Sequence, residues 1–155
     1  MSIELSQFIV RAKRNTYASG QKAKVLEDGF EEFTFEEGEY RYRDRYHARD
    51  PEPFGGEETV WHNNEAVWMM NYYGLVVAHK EKSEKIYTFL REALTFVGWQ
   101  RPFRGPKGHS RLIDGEEFRY SDESEGDVNQ FKGTERIFFK GEEVYRLEYH
   151  GGKLK

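Results

Sequence analysis

The feature that most restricts how this chain can fold is a repetition within it. Moved along by 77 positions, so that Gly74 lands on Gly151, the segment Phe54 to Gly74 overlies Phe131 to Gly151 without a gap. Seven of the 21 positions are identical: Phe54/Phe131, Gly56/Gly133, Glu58/Glu135, Glu65/Glu142, Val67/Val144, Tyr72/Tyr149 and Gly74/Gly151. Chance at ordinary residue frequencies gives roughly one or two. Val60/Ile137, Trp61/Phe138, Trp68/Tyr145 and Met70/Leu147 keep their apolar character, and with one residue of slippage "EYRY" at Glu39 to Tyr42 meets "EFRY" at Glu117 to Tyr120. Generic likeness between two amphipathic hairpins is the alternative explanation.

A repeated helical pattern precedes each copy. Leu5, Phe8, Ile9 and Ala12 recur at helical spacing behind Ser2, an N-cap residue type, until Gly20 releases the chain. Ile86, Phe89, Leu90, Ala93, Leu94 and Val97 do the same after Ser83, with Glu84 in the first turn and Gly98 at the end. The segments "FTFEEGEYRYRDRY", "ETVWHNNEAVWMMNYY", "RLIDGEEFRY" and "ERIFFKGEEVYRLEYH" alternate in character about turn signals and read as hairpins. The expected fold is α+β: two helices packed on antiparallel β-sheet within one domain, residues 1–155. An internal duplication of a helix-plus-β-meander unit, about 1–74 and 83–151, would carry pseudo-two-fold symmetry.

Composition removes several classes of function. A chain of 155 residues buries enough surface to fold without staples. The 24 Lys and Arg set against 28 Asp and Glu leave a net charge of −4, which opposes direct nucleic acid binding or an anionic membrane as the default partner. There are no cysteines, so disulfides and thiolate sites are excluded and a reducing, cytoplasmic location is expected. No apolar run approaches the roughly 18 residues a membrane span needs, and "MSIELSQFIV" lacks the form of a secretory leader. No cofactor is expected.

Strand alternation assigns the faces. With Asn63-Asn64 and Lys140-Gly141 as two-residue primed turns, counting outward pairs Val60 with Val67 and Glu58 with Met69, and in the second copy Ile137 with Val144 and Glu135 with Arg146. Trp61, Trp68, Met70 and Tyr72 then share a dry face with Phe138, Tyr145, Leu147 and Tyr149, under the helices. The opposite face carries Val67, Met69, Asn71 and Tyr73, matched by Val144, Arg146, Glu148 and His150. There the copies diverge in chemistry, as an asymmetric ligand would require; an ordinary solvated face is the competing explanation. Candidate ligand-binding residues are Glu58, Asn71, Tyr73, Arg146, Glu148 and His150.

Two more come from "RPFRGPKG", a Pro- and Gly-stiffened loop whose Arg101 and Arg104 suit a carboxylate or phosphate, unless the loop is only a rigid connector. Arg41, Arg43 and Arg45 lie opposite Tyr40, Tyr42 and Tyr46 on their strand, as on a solvated edge. The five histidines show no metal-ligand spacing, and no GxSxG, Walker A or GxGxxG signature is present.

The series "NTYASG", "FGGEETVW", "VWMMNYYG", "PFRGP", "EFRY", "FKGTERIFFKGEEVYRL" and "YHGGKLK" resembles an uncharacterised bacterial and archaeal family, domain of unknown function 5680. Its members also occur behind XRE-type helix-turn-helix regulators. The resemblance implies no activity; by architecture it implies a sensor-like use, and this chain begins directly at the first helix. The reading is a ligand-binding or sensing domain for a small polar or aromatic molecule. The alternatives are a small enzyme using His150 as general acid or base, or a protein-interaction domain, and a homodimer stays open.

Overall fold

The computed structural model describes residues 2–49 and 52–155, without the side chains of Ser2 and Ile3, so the capping role expected of Ser2 lies outside the described residues. In chain order the elements are α1 (Ser2–Asn15), β1 (Lys24–Val25), β2 (Glu31–Glu37), β3 (Tyr40–Ala48), β4 (Phe54–His62), β5 (Glu65–Val76), α2 (Ser83–Leu94), β6 (Gly108–Ile113), β7 (Glu116–Asp127), β8 (Gln130–Phe139) and β9 (Glu142–Lys153). A 3-10 turn follows α1 at Tyr17–Ser19, and Gly20 then turns left-handed at φ 80°. The second helix closes earlier than its apolar pattern suggests: Thr95, Phe96 and Val97 leave it through short turns, donating to the carbonyls of Glu92, Ala93 and Leu94.

The nine strands among the described residues all join one antiparallel sheet in the order β1-β2-β3-β4-β5-β9-β8-β7-β6. The sheet is therefore larger than a set of separate hairpins. From its central pair outward the strands run in reverse chain order on both sides, with β1 added at one edge. At the centre Tyr72 stands opposite Tyr149, Gly74 opposite Leu147 and Gly151 opposite Met70. The expected turns form: Asn63, Asn64, Lys140 and Gly141 all have positive φ, the conformation that two-residue hairpin loops need.

The counted registers need correction. Val60 pairs with Trp68, not Val67, and Glu58 with Met70, not Met69. Likewise Ile137 pairs with Tyr145 and Glu135 with Leu147. The cause is a β-bulge in each hairpin, between Val60 and Trp61 and between Ile137 and Phe138. An extra residue on one strand moves every later side chain to the other face. Val67 and Val144 are those extra residues. Val144, expected outside, is fully buried, and Val67 packs partly against the core.

Trp61 and Phe138, expected on the dry face, point outward beneath arginines. The Arg41 guanidinium lies 4.0 Å from the Trp61 ring centre, and that of Arg119 lies 4.2 Å from Phe138. Arg41, Arg43 and Arg45 do not mark an edge either, because β2 and β1 extend the sheet beyond β3.

The helix-facing side carries the core. Leu5, Phe8, Ile9 and Ala12 of α1 and Ile86, Phe89, Leu90, Ala93 and Leu94 of α2 are buried with Val60, Trp68, Met70, Ile137, Tyr145 and Leu147 from the sheet. Burying such side chains contributes about 1.5–3 kcal/mol each before entropy is counted.

Candidate functional site

The core side of the sheet holds an unusual density of charge. Lys13, Asp44, Glu58, Arg104, Asp122 and Glu135 are all nearly inaccessible to solvent. Local sequence explains how they arrive there. Lys13 follows Leu5 and Ile9 on the apolar stripe of α1, eight and four residues on, and so points inward. Asp44 follows Tyr42 by two residues on β3, and Asp122 follows Tyr120 by two on β7; each carboxyl continues an inward alternation of buried tyrosine. Glu58, expected on the polar face, is fully buried, because the register places it opposite Asp44 on one side and Met70 on the other.

Each buried charge has specific partners. Lys13 Nζ donates to Glu58 Oε1 at 2.6 Å and to the Phe103 carbonyl at 2.7 Å. Arg104 donates through two nitrogens to Glu135, at 3.1 and 3.3 Å, and the Tyr120 and Tyr145 hydroxyls donate to the same carboxylate at 2.5 and 2.8 Å. Asp122 receives the Tyr149 hydroxyl at 2.8 Å and the Gly105 N–H at 3.4 Å, with the Arg101 guanidinium 3.7 Å away.

Asp44 differs from the other three carboxyls in its lack of a cation, not in its hydrogen-bond count, since Glu58 also accepts one, from Lys13, and its Oε2 is buried without a partner among the described residues. The Tyr72 hydroxyl donates to Asp44 Oδ1 at 2.5 Å, and that is its one hydrogen bond among the described residues. Asp44 has no cation within salt-bridge distance there. Burial, then the charge of Glu58, push its pKa up to about 7, against the opposing pull of Tyr72, Lys13 and Arg104. Asp122 is raised less, to about 6, by burial and Glu135, with Tyr149 and Arg101 holding it down. Burial lowers the pKa of Lys13 in spite of Glu58.

Asp44 also borders open space. A cavity of about 880 Å³ lies between the inner face of β2–β5 and one face of α2, with the turn after α1 closing one side. Ser83, Tyr87, Leu90, Arg91 and Leu94 face it from α2 at helical spacing; Asp44, Tyr72 and Arg104 form its polar floor. Tyr17, Phe33, Tyr46, Phe54 and Tyr87 make the walls. The Arg104 guanidinium is held 5.3 Å from the Tyr17 ring centre and 5.5 Å from that of Tyr72. The hydroxyls of Tyr17 and Tyr87 are buried without a hydrogen-bond partner among the described residues. Apolar walls with a few convergent polar groups are the usual make-up of a small-molecule pocket.

Residues 44–154 match the model of the family described as Domain of unknown function (DUF5680). The chain belongs to that family. Neither a curated protein nor a solved structure matches it. Asp44, Glu58, Tyr72, Arg104, Asp122, Glu135 and Tyr149 all fall inside the matched residues, whereas Lys13 and Tyr17, which reach the same cluster from α1 and its turn, lie before them.

The residues singled out by sequence divide between two places. Arg104 and Glu58 enter the buried cluster, and Arg101 joins it at its edge by donating to the Asp122 carbonyl and to Ser124. The others meet on the outer face, where β5 and β9 set Asn71 opposite His150 and Tyr73 opposite Glu148, with Arg146 opposite Leu75. Tyr73, Arg146, Glu148 and His150 are solvent-exposed there, and Arg146 turns back to Glu143. Asp44, Tyr72, Tyr17, Tyr87 and Lys13 were not singled out as site residues. The signal for Asp44 and Lys13 was a charge standing in an apolar or aromatic pattern, as in Tyr42–Asp44 and Ile9–Lys13; the three tyrosines carried no such mark. No helix among the described residues is long and apolar enough to cross a membrane. No group of three or more metal-ligating side chains is gathered among them.

Proposed function

We propose that this domain binds a small molecule in the cavity above Asp44, with a sensing role as its use. The observation that carries this is the combination of about 880 Å³ of aromatic-walled space with a buried carboxyl that, among the described residues, accepts one hydrogen bond, from Tyr72, and has no cation within salt-bridge distance. A buried polar group with unused capacity is costly, and a ligand that satisfies it recovers that cost. The volume lies within the range of small-molecule pockets, about 300–1,000 Å³. The sensor-like use rests on the resemblance to domains carried behind helix-turn-helix regulators. The matched strand orders and the Asp44–Tyr72 and Asp122–Tyr149 pairs support reading the two halves as copies of one unit.

Native mass spectrometry of the freshly purified chain tests the proposal. Wild type is expected to carry a retained compound that the Asp44→Asn variant loses. A wild-type chain that stays bare, and whose Tyr72 and Tyr87 resonances ignore a metabolite extract of the expression host, overturns it. Loss of the compound in Asn71→Ala or His150→Ala, with Asp44→Asn unaffected, moves the site to the outer face.

A second reading has its own observation. A carboxyl titrating at about 7 and hydrogen-bonded from a tyrosine suits general acid or base chemistry. An enzyme would convert the retained compound on incubation, so its mass would change with time; a sensor would release it unaltered.

A further inference from the structure

Each half of the sheet carries the same inward set: a tyrosine and an aspartate two residues apart on one strand, a glutamate opposite the aspartate, and a central-strand tyrosine donating to that aspartate. In the first half these are Tyr42, Asp44, Glu58 and Tyr72; in the second they are Tyr120, Asp122, Glu135 and Tyr149. The two aspartates differ in what lies above them. Over Asp122 the chain supplies its own filling, the loop after α2. Phe103 stacks on Phe131 with ring centres 4.2 Å apart, Gly105 presents its N–H to Asp122, and Arg101 sets its guanidinium beside the carboxyl. The loop approaches so closely that a Cβ at Gly105 would stand 2.4 Å from the Tyr120 hydroxyl. Over Asp44 there is the cavity instead.

Counting charges gives the same asymmetry. Glu58 has Lys13, Glu135 has Arg104 and Asp122 has Arg101, while Asp44 has no cation within salt-bridge distance among the described residues. The basic groups that border the cavity do not fill that gap. Arg104 is committed to Glu135, and Arg91 and Lys80 are exposed at the mouth, where Glu81 and Glu84 stand with them.

We infer, resting on the cavity being the binding site, that its ligand is an organic cation, an amine or guanidine on an apolar or aromatic body. Its charged head takes the place over Asp44 that Arg101 and the Gly105 N–H hold over Asp122. The body lies among Tyr17, Phe33, Tyr46, Phe54 and Tyr87, whose ring faces favour a cation as well as apolar surface. The buried hydroxyls of Tyr17 and Tyr87 can accept from further N–H groups. With the cavity empty, Asp44 holds a proton below pH of about 7, since burial and Glu58 outweigh Tyr72, Lys13 and Arg104. A bound cation would displace that proton to solvent.

Three probes of one skeleton test this: 2-phenylethylamine, 2-phenylethanol and phenylacetate, titrated at millimolar concentration into the full chain and followed by the Tyr72 and Tyr87 resonances. The amine is expected to bind about tenfold or more tighter than the other two. It should lose that advantage in Asp44→Asn and keep it in Glu36→Gln, which removes the same charge from the exposed surface. Calorimetry in two buffers of different ionisation enthalpy should show proton release below pH of about 7, fading above it. Binding of the alcohol or the carboxylate as tight as that of the amine, or an amine preference unchanged in Asp44→Asn, overturns the cation assignment and leaves the cavity as the site. If none of the three moves the cavity resonances, both the assignment and the cavity site fall. The preference among the three probes is read on the wild-type chain and does not depend on whether Asp44→Asn folds.

Discussion

Tyr72 and Tyr149 stand opposite each other on the central strand pair, yet their hydroxyls serve different carboxyls, Tyr72 reaching Asp44 at 2.5 Å and Tyr149 reaching Asp122 at 2.8 Å. The same side chain in the same setting thus completes a filled site on one side and borders an open one on the other. Consequences for stability follow from this and from the buried charges around it.

The first concerns pH. Asp44 has a pKa raised from its usual 3.8 to about 7, so the folded chain holds a proton that the unfolded chain has released over that interval. Stability contributed at low pH is therefore lost as pH rises from about 4 to about 7, and the loss is complete above. Asp122 adds a slope of the same sign that ends at about 6. Relative to Asp44→Asn, which cannot ionise, wild type should lose a few kcal/mol across the window and run parallel to it above. Urea denaturation of both at a series of pH values measures the difference; a difference independent of pH contradicts it.

Breaking the buried pair should be severe. Lys13 and Glu58 are fully inaccessible and 2.6 Å apart, so Lys13→Met leaves an uncompensated carboxylate and is expected to cost about 3–5 kcal/mol. Adding Glu58→Leu removes the stranded charge. The double variant should regain most of the loss in chemical denaturation, which a simple packing defect would not.

Trp68 is fully buried, stacked 5.7 Å from Phe131, with Lys13 5.9 Å from its ring centre. Trp68→Ala should cost about 3–5 kcal/mol, the range for deleting a large core aromatic. An unchanged denaturation midpoint would contradict its place in the core.

Gly105→Ala forces a methyl group against the Tyr120 hydroxyl and should cost about 1–3 kcal/mol. Hydrogen exchange should show the loss concentrated in residues 101–107, as the segment lifts from Asp122.

On the outer face, His150→Ala and Asn71→Ala should change stability by no more than about 0.5 kcal/mol, because His150 is open to solvent and neither side chain anchors the core. Thermal melts with a large shift for either would place these residues in a structural network.

Much of the fold was legible. The hairpins follow from alternation about residue pairs that tolerate positive φ, and Asn63-Asn64 and Lys140-Gly141 adopt it. The helices follow from periodic apolar residues. The bulges were not legible, because an extra residue in a hairpin leaves no compositional mark. Their effect was large: a single step of register carried Glu58 from the expected wet face to the bottom of the core and turned Trp61 outward. Asp44 was legible in retrospect, as a carboxylate two residues from Tyr42 and Tyr46 on the aromatic side of β3. Taken alone, that spacing is also what a strand with an exposed polar end looks like.

What the sequence by itself determined is therefore local: where helices and strands form, which turns join them, and that two stretches of chain share a pattern. These depend on backbone preferences and side-chain period, which act over a few residues. Only the tertiary structure decided that Lys13, Asp44, Glu58, Arg104, Asp122 and Glu135 meet. It also decided that the loop at 101–106 fills one side, while α2 leaves a cavity over Asp44 on the other. The physical reason is that burial and charge pairing depend on distance in space. Lys13 and Phe103, 90 residues apart in the chain, come within 2.7 Å only when helix, loop and sheet are packed together.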